Sequence, residues 1–281
     1  MKRTTLSQVI LAGLCAFVIG MPVAQAGKGA SYLSIRNAIH SGSVDAILAE
    51  VERAEKLPCG SCIDLVTPLI DHDDARVRDV AAWWLAKRAI RAKVRDDMFT
   101  RLQSGNTVSA RNAAEVLGRF MHPDAFLPLE TAMHDGSLGE EARAAAATAI
   151  GTIGAPGGKE ILEGAVTSES PAVRAAAAQA LRHIRTNTEA VAVVSLLSDT
   201  HEEVVHQAAL TVGALQEAVA VPDLMAVVSD PAAYGVSTRK AAAWALGKIG
   251  DPSAQSVLAD VADNDPDMLV RGAARVALRD I

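Results

Sequence analysis

One alanine recurs along this chain at intervals of 31 to 34 residues: Ala81, Ala113, Ala146, Ala177, Ala208, Ala242 and Ala274. Three residues before each lies an anchor position, held by Arg78, Ala110, Arg143, Arg174, Val205, Arg239 and Arg271. Four residues after each alanine comes a branched aliphatic: Leu85, Leu117, Ile150, Leu181, Val212, Leu246 and Leu278. Counted from the anchor, offsets three, four and seven fall on one side of a helix, so this stripe is the face that each helix buries. A single unit of this length cannot bury such a face alone and must stack on its neighbours.

The rest of each unit fits a helical hairpin. Shorter apolar segments precede the alanine helices, among them Ile63–Ile70, Phe126–Met133, Ile161–Val166, Val191–Leu197 and Leu224–Val228. Between the two segments lie capping and breaking residues: Asp71–Asp74, Ser104-Gly105-Asn106, Asp135-Gly136, Ser168–Pro171, Asp230-Pro231 and Asp265-Pro266. Seven such units fill Pro58–Ile281, and two amphipathic stretches, Tyr32–Ile39 and Val44–Ala54, form an amino-terminal cap within residues 27–57. Composition agrees. Half of the residues are hydrophobic and only 3% aromatic, while alanine fills 54 of 281 positions. That apolar fraction excludes a disordered chain, and so much alanine argues against a β-sandwich or barrel. The expected fold is all-α, an α-solenoid of about seven hairpins.

The segments Asp265-Pro266-Asp267-Met268-Leu269-Val270-Arg271 and Val173-Arg174-Ala175-Ala176-Ala177-Ala178-Gln179-Ala180-Leu181 resemble HEAT repeats, particularly the short alanine-rich class shared with phycobilin-lyase-like proteins. The resemblance spans residues 58–281, is of an exported bacterial type, and specifies fold far better than function. It implies that Arg78, Arg143, Arg174, Arg239 and Arg271 form a structural ladder with turn aspartates, which Ala110 and Val205 interrupt.

Residues 1–26 have the three parts of a secretory signal: Lys2 and Arg3, an apolar run from Val9 to Gly20, and Ala24-Gln25-Ala26. Cys15 is preceded by bulky Leu14 where lipid attachment requires a small residue. Removing this leader takes two bases from a chain whose formal charge is already −6, which disfavours generic nucleic-acid binding. No later stretch reaches the ~18 apolar residues of a membrane span. The expected location is periplasmic or secreted, where Cys59 and Cys62 would pair.

No motif fixes a reaction. Cys59-Gly60-Ser61-Cys62 has either redox or structural use, but no βαβ pattern surrounds it, Ile63 replaces the histidine of a haem attachment site, and the spacing of His40 and His72 does not favour zinc. In His201-Glu202-Glu203-Val204-Val205-His206 the second histidine is five residues on, about 140° around the helix from the first, so it is not a zincin pair. His201-Glu202 also matches one of the several His-Glu pairs repeated in the HEAT enzymes related to deoxyhypusine hydroxylase, and one pair is too few for a di-iron site. No phosphate loop or nucleophile–base set is evident. No catalytic residue, metal or cofactor is expected.

Solenoids bind through one helix of each pair. Offsets one, five and nine of the second helices are therefore expected to form an open, concave side. They include Trp83, Lys87, Arg111 and Glu115 towards the amino terminus, and Lys240, Trp244 and Lys248 towards the carboxyl terminus. Smaller, mostly uncharged residues lie between, among them Thr148, Gln179 and Leu210. These ten residues are the candidate binding positions. The first functional expectation is a non-enzymatic scaffold for an envelope protein, and the alternative is a carrier of an apolar small molecule such as a lipid, held between Trp83 and Trp244. A basic run, Lys87, Arg88, Arg91, Lys93, Arg95 and Arg101, is a further candidate surface for an acidic partner or anionic membrane head groups.

Overall fold

The computed structural model describes residues 29–184, 189 and 191–281, and among them there are helices and no strand. The leader expected at residues 1–26 lies outside the described residues. Helix α1 (Tyr32–Ser41) pairs with α2 (Val44–Arg53) in an amino-terminal hairpin. Seven hairpins follow. The first joins α3 (Cys62–Val66), extended by a 3-10 turn over Thr67–Asp71, to α4 (Ala75–Ala86). Next come α5 (Arg91–Leu102) with α6 (Thr107–Phe120), α7 (Phe126–His134) with α8 (Glu140–Ile153), and α9 (Gly158–Ala165) with α10 (Pro171–Leu181). The fifth joins α11 (Val191–Val194), extended over Ser195–Ser198, to α12 (Glu202–Ala214). The last two are α13 (Val221–Ser229) with α14 (Val236–Ile249), and α15 (Gln255–Asn264) with α16 (Met268–Asp280).

Local chemistry sets the helix ends. Side chains of Ser31, Asp74, Asn106, Ser170 and Asp267 accept backbone N–H bonds from the first turns of their helices, and Pro171 opens α10, where a missing N–H costs nothing. Gly154 and Gly250 end α8 and α14 with φ of 64° and 73°, the left-handed conformation that glycine adopts without strain.

Second helices stack side by side in the order α2, α4, α6, α8, α10, α12, α14, α16. All seven register alanines are fully buried. A buried methyl contributes only about 0.8 kcal/mol, so their value lies in the close approach of backbones that they permit. Glycine at offset eight takes that approach further. Gly118, Gly151, Gly213 and Gly247 face Ala149, Ala180, Ala245 and Ala277 of the next second helix, at separations that leave little or no room for a β-carbon. In the first repeat this position is Ala86, and in the fourth it is Arg182. The aliphatic of the seventh repeat, Leu278, is only half-buried, and Arg275 replaces the alanine at offset four.

The expected arginine ladder forms in part. Arg174 makes a two-pronged contact with Asp199 at 2.7 and 2.9 Å, and Arg239 does the same with Asp265 at 3.0 and 3.1 Å. Arg78 departs from the pattern, because its two-pronged partner is Glu115 on α6 rather than a turn aspartate. Arg143 and Arg271 bond to backbone carbonyls of their own hairpins, at Met133 and at Asp265 and Pro266. Where Ala110 and Val205 interrupt the ladder, other links cross the seam. Asn112 donates to Asp71, and Glu202 accepts from the Gly235 N–H and the Thr238 hydroxyl.

The basic run becomes an element of the stack. Residues 91–102 are helix α5, whose Val94, Met98 and Leu102 are buried. Its neighbours in the run are largely engaged within the molecule. Arg88 donates to the carbonyls of Ala54 and Glu55, Arg91 to that of Phe120, and Arg101 to Asp71 and Asp97.

Candidate partner-binding face

On the second helices, offset nine is exposed in every repeat, and offset five is exposed or half-buried. Two adjacent depressions open on this face at its amino-terminal end. One, of about 440 Å³, lies between α6 and α8 and is bordered by Glu115, Thr148 and Thr152. The other, of about 570 Å³, lies beside α2 and α4 and is bordered by Leu48, Glu52, Glu55 and Trp83. Asp79 and Arg119 border both. These two side chains form an ion pair between α4 and α6, so a charged bar separates the depressions.

Trp83 is half-buried, with the Lys87 ammonium 3.9 Å from its ring centroid. Lys87 also pairs with Glu55, at the end of α2, and this contact holds the Glu55 carboxyl below its usual range. The adjacent Trp84 points the other way. It is fully buried, donates from Nε1 to the Ala54 carbonyl at 3.1 Å, and stacks under the Arg88 guanidinium at 3.9 Å. Trp244 is 38% exposed, and its ring edge lies so close to Gly213 on α12 that a β-carbon there would be 2.8 Å from Cζ3.

The matching HEAT-repeat family model covers residues 137–210 and 191–279. The chain belongs to the HEAT-repeat family. Its first two hairpins precede the matched segment but share the alanine register and the stack. Similar solved structures include human deoxyhypusine hydroxylase, with 21% identity over 88% of this chain and 96% of that one and a TM-score of 0.39. YibA of Escherichia coli has 16% identity over 89% and 92%, with a TM-score of 0.49. The complex of CpcE and CpcF of phycocyanin lyase from Nostoc sp. PCC7120 has 21% identity over 78% and 86%, with a TM-score of 0.43. No curated protein matches the chain by sequence at a significant level. The HEAT-repeat fold supports a protein-binding role.

The ten candidate positions of this HEAT-repeat chain are not chemically equivalent. Glu115 is committed to the buried Arg78, and Arg111 lies between Asn112 and Glu141. Both act first as links between helices. The Thr148 hydroxyl is turned back to the Ala144 carbonyl at 3.0 Å, while Gln179 and Leu210 are half-buried. Lys240 and Lys248 flank Trp244 on α14 and are exposed, with no ion pair among the described residues. Sequence reasoning missed Leu48, Glu52 and Glu55, because at the repeat spacing the cap hairpin has Arg53 where the seven units have a branched aliphatic. The spacing held the missing signal: Glu55 lies 32 residues before Lys87, one repeat length.

Cys59 and Cys62 form a disulfide with a Cα–Cα distance of 5.3 Å, in the turn that joins α2 to the first HEAT hairpin. Cys62 is buried and Cys59 half-buried. His201 and Glu202 begin α12, where Glu202 is used as a link to α14. Among the described residues no three His, Cys, Asp or Glu side chains converge as a metal site would require. No helix among them is long and apolar enough to cross a membrane.

Proposed function

We propose that this HEAT-repeat protein is a non-enzymatic, exported scaffold that holds an envelope protein against the open face of its second helices. The observation that carries the reading is the pair of depressions sharing the Asp79–Arg119 bar. Their mixed lining of carboxylates, guanidinium groups and a tryptophan suits a polypeptide, which brings both polar and apolar groups, better than a lipid. The Cys59–Cys62 disulfide supports an oxidising compartment.

Site-specific photo-cross-linking in the native compartment tests this. A photoreactive residue at Thr148, on the open face, is expected to capture one discrete partner, and one at the exposed Thr131 of α7 is expected to capture none. Equal capture from both faces would sink the proposal. So would a stoichiometric, solvent-extractable lipid that disappears in Trp83→Ala, which would establish the carrier instead.

A further inference from the structure

We propose that Trp83 and Glu55 form a receptor for a lysine or arginine side chain on a partner polypeptide, and that Lys87 occupies it as an internal stand-in. The inference rests on the scaffold reading and names the chemistry that its face would select. The two groups that recognise an organic cation, an aromatic face and a carboxylate, converge here on one ammonium: Lys87 Nζ lies 3.9 Å from the Trp83 centroid and pairs with Glu55.

Helical spacing alone does not produce this arrangement. Trp244 and Lys248 stand in the same relation as Trp83 and Lys87, four residues apart at offsets five and nine. Yet no cation lies over Trp244 among the described residues, and its ring rests against Gly213 instead. What distinguishes Trp83 is the carboxylate supplied by Glu55 beyond the end of α2.

The internal occupant is loosely held. The side chains of Lys87 and Glu55 are 38% and 43% exposed, and ion pairs this open to water are weak. Lys87 can therefore swing into solvent with its charge hydrated. That movement leaves Glu55 with no direct ion pair, only the weaker influence of Lys56 and Arg88, next to Glu52, which is exposed and has no ion pair among the described residues. The basic groups of the same depression are already engaged, Arg76 with Asp74 and Arg119 with Asp79. The vacated wall is thus acidic, complementary to an incoming cation, while Leu48 beside it can receive an apolar neighbour of that cation.

The test uses the full chain and two synthetic peptides, one with a single lysine between leucines and one with norleucine in its place, titrated by isothermal calorimetry, which reads binding in every variant. The lysine peptide is expected to bind Lys87→Met about five- to tenfold more tightly than the unsubstituted protein, because the competitor is gone. Adding Glu55→Gln should reverse that gain. Trp83→Phe, which retains a weaker aromatic face, should bind less tightly than Lys87→Met alone when combined with it. Equal binding of the two peptides, or no gain in Lys87→Met, overturns the receptor. Cross-linking at Thr148 keeps this failure separate from that of the scaffold reading. Capture that persists unchanged in Trp83→Phe with Glu55→Gln retains the face and rejects the receptor, whereas peptide binding without capture retains the receptor and rejects the face.

Discussion

Gly151 of α8 and Ala180 of α10 meet with no space between them: a β-carbon at position 151 would lie 2.5 Å from the Cβ of Ala180 and 2.9 Å from its carbonyl oxygen. Backbone cannot yield as a flexible side chain does. Gly151→Ala is therefore expected to destabilise the protein by about 1–3 kcal/mol through overpacking. Gly272→Ala, in α16 with nothing within 4 Å of the added carbon, should leave stability unchanged or raise it by up to about 1 kcal/mol, because alanine favours helix over glycine. Thermal melts of the two variants check this, and similar melting points would show that the seam is softer than its geometry.

Arg239 and Asp265 form the most deeply buried ion pair of the ladder, with side chains 4% and 3% exposed. Arg239→Ala leaves a buried carboxylate without its partner, at an expected cost of about 3–5 kcal/mol. Arg76→Ala removes a guanidinium that is 62% exposed, and should shift the midpoint far less than Arg239→Ala. Denaturant titration distinguishes the two. Comparable midpoints would mean that the ladder contributes little to holding the repeats together.

The Arg174 guanidinium and the His201 backbone N–H hold the Asp199 carboxyl below its usual range. A carboxylate depressed in the folded state stabilises the protein above its unfolded pKa, near 4, and the contribution is lost as pH falls through the lower folded value. Asp199→Asn should therefore be less stable than the parent at pH 7, with the gap unchanged down to about pH 5 and shrinking below pH 4. Urea midpoints across pH provide the measurement, and a gap that stays constant down to pH 2.5 would contradict it.

The disulfide closes a turn of only four residues, Cys59 to Cys62. Loop closure this short restricts the unfolded chain least, so replacing both cysteines by alanine should cost about 2 kcal/mol or less. Binding at Thr148 should persist in that variant. Loss of partner capture without loss of fold would point instead to thiol chemistry at Cys59.

Much of the fold was legible because a stacking repeat reports itself in the chain. Offsets three and seven cannot vary freely when each helix lies between two others, so Ala81 to Ala274 and Leu85 to Leu246 identify the buried stripe directly. A departure from the pattern in the seventh repeat is equally visible, in Arg275 at offset four. The binding face was less legible. Offsets one, five and nine pointed to Trp83, Glu115 and Trp244 as equals, but a position on a face does not tell which side chain is already engaged.

The sequence by itself determined the helical hairpins, their register, the caps that begin them and the inward alanine face, because these follow from contacts within one repeat or between identical offsets of adjacent ones. Only the tertiary structure decided that Glu115 serves the buried Arg78, that Trp244 rests on Gly213, and that Glu55 meets Lys87 over Trp83. Each of those contacts joins side chains on different helices. Which rotamer reaches across a seam depends on the local spacing of the backbones, a quantity that no periodicity along the chain encodes.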